Sequence, residues 1–138
     1  MQSDAVSQID AINKTTYPLL IGWEVINQWY YAGSSKEVIY TKYKQYFLDR
    51  MAAGYTVIAI TPTPASASTH IGFEVVRQYV RTAMLAEFES LGLHIADVGG
   101  NYLLQNAADT TYYTDGIHIN NTGAGVVANI LFDRMKLL

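Results

Sequence analysis

The sequence predicts a three-layer α/β/α fold around a short parallel sheet, and three observations carry that expectation. Residues 17–23 are a near-continuous apolar run, the character of a strand buried on both faces, residues 55–60 read as a second buried strand, and residues 93–98 as a third strand. Segments with apolar residues at helical spacing alternate with these runs. Glycine, proline and asparagine punctuate the joins, so the order α-β-α-β-α-β-α implies a parallel sheet covered on both sides.

Each element has its own warrant. Residues 2–13 place Ala5, Val6, Ile9 and Ile12 on one helical face, with Ser3 or Asp4 as cap. The first strand follows, and Pro18 fits only at its first residue. Residues 24–35 read as a loop, and Ser35 caps a helix that presents Val38, Ile39, Tyr43, Tyr46, Phe47 and Met51. Gly54 ends that helix where a left-handed residue is needed. After the second strand, Thr61-Pro62-Thr63-Pro64 through His70 can continue neither helix nor strand. The next helix carries Val75, Val76, Tyr79, Val80, Met84 and Phe88 and stops at Gly92. Residues 99–120 follow the third strand and are rich in Gly, Asn, Asp and Thr, hence mostly loop. The last helix starts near Asn121 or Thr122, with Val126, Val127, Ile130, Leu131 and Met135 inward. Right-handed crossovers place the two connecting helices on one face, leaving the first and last helices for the other.

The 138 residues suit one domain, 1–138, without repeat or linker. Net charge is −3 with lysines and arginines scattered, which argues against nucleic acid or an anionic membrane as partner. No apolar run reaches a membrane span of about 18 residues. Met1-Gln2-Ser3-Asp4 lacks the basic start and apolar core of a signal peptide, so a soluble chain is expected, in a compartment left open. With no cysteine, disulfides and thiol catalysis are excluded.

In an open parallel sheet, chemistry collects in the loops after the C-terminal strand ends. Those loops offer Glu24, Asn27, Gln28, Ser34, Ser35, Ser66, Ser68, His70, Asn101, Asp109, Asp115 and His118. The most informative stretch is Thr114-Asp115-Gly116-Ile117-His118-Ile119-Asn120-Asn121-Thr122-Gly123. An Asp three residues before a His, on a loop entering a helix, can set a carboxylate beside an imidazole. The carboxylate fixes the tautomer while the other ring nitrogen accepts a nucleophile's proton. The same pair can instead merely cap the helix.

This block, with the following Gly-Ala-Gly and an apolar last helix, resembles the final block of the SGNH (GDSL-like) ester hydrolases. Leu20-Ile21-Gly22-Trp23-Glu24-Val25-Ile26-Asn27-Gln28 is similar to the family's Gly-x-Asn-Asp block, with Val25 and Gln28 departing from it. The Thr61-Pro62-Thr63-Pro64 turn also looks like the family. The resemblance implies a truncated flavodoxin-like SGNH fold. Asp115 orients, His118 acts as general base and then acid, and Asn27 donates to the oxyanion. It implies an ester substrate, an acylated sugar among the options, and neither metal nor organic cofactor.

The family's opening Gly-Asp-Ser, which carries the nucleophile, occurs nowhere here, nor does the Gly block after it. The chain reads as a family domain starting about two strands late. It is expected to hydrolyse esters poorly alone, the serine coming from outside it. Ser66 and Ser68 sit on no strand-to-helix elbow. Asp109, Asp115 and His118 lack a convincing metal geometry. His94, at a strand start, reads as structural, and His70 as a solvated loop residue. A rival reading is a non-catalytic binding or assembly module using the aromatic run Trp23, Trp29, Tyr30 and Tyr31. With the family's first strand absent, the strand ending at Trp23 becomes an edge. A homodimer is then expected, through the Pro18 to Trp23 edge strand or swapped N-terminal helices.

Overall fold

The computed structural model describes residues 8–9, 11–12, 15–16, 18–23 and 25–138. Three strands, β1 (Leu19–Gly22), β2 (Thr56–Ile60) and β3 (His94–Ala96), form one parallel sheet in the order β1-β2-β3. The helices with described bounds are α1 (Ile26–Tyr30), α2 (Lys36–Ala52), α3 (Phe73–Glu87) and α4 (Asn121–Met135). The α/β class is thus as the sequence predicts, with strands shorter at their ends than the apolar runs.

Strand alternation divides the core in two. Leu20, Val57, Ala59 and Ile95 face α2 and α3, where Ile39, Tyr43, Phe47, Val76, Val80 and Met84 complete a buried cluster. Ile58, Ile60 and Ala96 face the other way, toward Val127 of α4 and the loop residues Val98, Leu104 and Tyr113. Both connecting helices therefore share one face, as expected. Gly22 is small because Phe47 occupies its side-chain space: a Cβ would lie 2.3 Å from the ring.

Several expectations need correction. The predicted loop 24–35 contains helix α1; its five residues are too few to show a hydrophobic stripe. Val38 and Val75 are exposed on their helices, while Tyr40, which the pattern omitted, is buried and bonds Glu87 across to α3. Met135 ends α4 largely in solvent, at 41% exposure. Most of the predicted first helix lies outside the described residues. Ile9 packs with the α2/α3 cluster, and the Tyr55 hydroxyl donates to its carbonyl. That residue thus lies on the opposite face from the one assigned to the first helix.

Ser35 caps α2 by accepting from Val38 N–H, and Gly54 adopts positive φ, as predicted; Gly92 also does so. Among the described residues no helix is long and apolar enough to cross a membrane.

Candidate functional site

The site is built on the segment between β3 and α4. Tyr113 bridges Ile119 in antiparallel fashion, and Thr114 N–H donates to the His118 carbonyl at 2.8 Å. The intervening turn needs Gly116, whose φ is +84°. Within it, Asp115 Oδ1 accepts the backbone N–H of His118 at 2.9 Å and of Ile117 at 3.1 Å. Its Oδ2 lies 2.7 Å from His118 Nδ1. The backbone thus aims the carboxylate before the imidazole meets it.

Asn120 fixes where this turn enters α4. Its side-chain oxygen accepts from Thr122 and Gly123 N–H, and its amide donates to the carbonyls of Thr110 and Thr111. Gly123 allows the close approach, since a Cβ there would lie 2.4 Å from the Tyr112 carbonyl oxygen.

A buried polar network supports the loop from below. The Tyr113 hydroxyl donates to the Leu104 carbonyl at 2.8 Å, and burial pushes its pKa up to about 12. Arg77, 2% exposed, donates to the Gly99 carbonyl and to Gln105. Thr61 accepts from Gly99 N–H and donates to Asp97, which also holds Arg81 bidentately. Burial opposes the Asp97 charge, but Arg81 and Thr61 outweigh it and hold its pKa below the ordinary value. The loop after β2 is thereby tied to the loop after β3.

These loops and α1 enclose a cleft of about 710 Å³, within the range of small-molecule sites. Asn27 and His118 both line it, so the structure brings these two predicted residues to one cavity. One wall is aromatic, with Trp23, Tyr30, Tyr31 and His70. Another is aliphatic, from Ile119, Val127 and Leu131.

His70 was not separable from a solvated loop residue by any spacing. Its ring lies tilted against Tyr30 with ring centres 4.9 Å apart, and its Nδ1 lies 2.8 Å from the Thr69 hydroxyl. Trp29 turns inward against Phe73, leaving the rest of the aromatic run to the cleft. Ser66 and Ser68 bond each other at 2.8 Å and do not line the cleft, although Ser66 N–H holds the Gly116 carbonyl. Asp109 accepts from Thr111 N–H and closes its own turn. His94 bonds Arg134 at the far end of the sheet. Glu24 lies outside the described residues.

The Asp115 pKa is lowered to about 2, first by the His118 backbone N–H and then by the imidazole. Because the folded value is depressed, its stabilising effect is present above the ordinary 3.8 and lost as pH falls through about 2. Carboxyl-carbon NMR of Asp115 is expected to show a midpoint near 2, with the His118 amide shift following it. A midpoint at 3.8 would contradict the observed bonding.

Comparison with protein-family models, with curated proteins and with solved structures returns no match to this chain.

Proposed function

We propose that the chain carries the Asp–His portion of a serine ester hydrolase site of SGNH type, with the serine supplied by a segment outside these 138 residues. The observation that carries the reading is the 2.7 Å contact between Asp115 Oδ2 and His118 Nδ1 at the mouth of the cleft. With Nδ1 engaged by the carboxylate, Nε2 is the ring nitrogen left to take a proton. The serine oxygen attacks the ester carbonyl and its proton passes to Nε2. The alkoxide leaves with that proton, giving an acyl-serine. Water, deprotonated by the same nitrogen, then releases the acid and restores the serine. Asn27, on the same cleft, donates its amide to the oxyanion.

A second reading has its own observation. The exposed ring of Tyr31, 80% accessible, and its neighbours Trp23 and Tyr30 offer a contact surface needing no chemistry. This favours a binding or assembly module derived from the same fold.

A p-nitrophenyl acetate assay separates the two. The chain alone is expected to turn over very slowly, because triad members act as a unit. Adding a synthetic Gly-Asp-Ser-bearing segment is expected to raise turnover in a His118-dependent way; no gain favours the binding module. Strong turnover by the chain alone that vanishes in Ser66→Ala or Ser68→Ala would place the nucleophile there instead. Turnover that survives both but needs His118 would indicate direct attack by water.

A further inference from the structure

The two edges of the sheet are treated differently. At β3, Ala96 C=O accepts from Thr61 N–H, so alternation turns the Ile95 backbone outward. Its N–H is satisfied by the Glu89 carboxylate at 3.2 Å. The strand has only three residues, and Arg134 also holds Glu89. A charged side chain on a short strand blocks the addition of another.

At β1 no such device is present among the described residues. Thr56 N–H donates to the Pro18 carbonyl, and Leu19 stands opposite Thr56. This phase turns the backbone groups of Pro18, Leu20 and Gly22 toward β2, and those of Leu19, Ile21 and Trp23 outward. The segment 18–23 carries no charged residue, and its proline is at the start.

The side chains of these outward residues share the face of α4. Ile21 stands beside Ile58 in register, yet Ile58 is fully buried and Ile21 is 43% exposed. Helix α4 packs against β3, and its cover fades toward β1. Trp23, 42% exposed, continues the same row into the cleft.

From this we infer that β1 is a self-pairing edge, whose occupant is β1 of a second copy running antiparallel, with Ile21 on the two-fold axis. The phase requires outward residues to face one another, and only a register centred on Ile21 uses Leu19, Ile21 and Trp23 of both copies. Ile21 exchanges both backbone bonds with its own symmetry mate, and Leu19 of each copy meets Trp23 of the other. All the outward groups are satisfied together, and the contact is closed and isologous. The exposed apolar side chains gain cross-strand neighbours on one face, the pairing that stabilises sheets. The arrangement also seats the partner's Leu19 beside Trp23, so the second copy contributes to one wall of the cleft. A serine-bearing segment entering as a strand would compete for this edge, so the dimer is the arrangement of the chain alone.

The test reads mass and cross-linking rather than turnover, so it stands or falls separately from the hydrolase reading. Light scattering at micromolar concentration is expected to give twice the 15.3 kDa chain mass. Ile21→Pro removes an outward N–H that β2 does not use and is expected to give the monomer mass. The chain has no cysteine, so Ile21→Cys is a unique label. Paired residues of this kind lie about 5.5 Å apart at Cα, inside the disulfide range. Mild oxidation is expected to cross-link this variant and not Ile71→Cys, whose site is 83% exposed elsewhere. A monomeric parent chain, including one that takes up only a foreign strand, overturns the inference. So does a Pro variant that stays dimeric, or cysteine at 21 linking no better than at 71. Should the Pro variant fail to fold, parent mass and cross-linking still decide.

Discussion

In the assay completed by a serine-bearing segment, His118→Ala is expected to lower ester turnover on the order of 10⁴- to 10⁶-fold. In the proposed mechanism the imidazole is the proton acceptor for attack and the donor for the leaving alkoxide, so both halves of the reaction would lose it. Asp115→Asn is expected to cost about 10⁴-fold, because an amide can hold the wrong tautomer. It leaves the ring in place without the negative charge that stabilises imidazolium. The folded structure should survive His118→Ala, since that side chain is 75% exposed. Unchanged thermal unfolding therefore separates a chemical loss from a structural one. A loss under tenfold, with the segment bound, would remove His118 from the mechanism.

The reach of the sequence follows from which interactions are local. Asp115 and His118 are three residues apart in one turn, and their contact is decided by backbone bonds within that turn. Spacing alone could anticipate it. The strands were legible because β2 is buried on both faces and carries an unbroken apolar run. Helix α1 was not, since its local pattern is that of a polar and aromatic loop. Its Trp29 is held inward by Phe73 from a distant helix. The position of His70 in the cleft likewise depends on Tyr30, forty residues earlier in number. The polar floor under the site was also hidden. Arg77 stands on a helix whose other residues read as an ordinary amphipathic stripe, and arginine at such a spot normally signals solvent. Only the fold reveals that the Gly99 carbonyl and Gln105 close over it.

That buried arginine carries the second large effect, on stability rather than chemistry. Arg77→Ala is expected to destabilise the fold by about 3 kcal/mol, from a lost charge-assisted hydrogen bond and the void left behind. Its pair with Glu74 contributes little, because that carboxylate is 55% exposed and screened by solvent. The main loss is at the Gly99 carbonyl, 2.8 Å from the guanidinium, which keeps only the Gln105 amide as side-chain donor. Gly99 has no room to rearrange, since a Cβ on it would already lie 2.1 Å from the Pro62 carbonyl oxygen. Arg77→Lys keeps the charge but not the fork that reaches Glu74, Gly99 and Gln105 together, so it should recover less than half of the loss. Urea unfolding measures this as a lower midpoint at unchanged slope. Because Leu104 joins the same segment to Tyr113, the His118 amide resonance is expected to shift in the Ala variant. A change in stability within about 0.5 kcal/mol, the range of ordinary surface substitutions, would show that the network does not hold the loop.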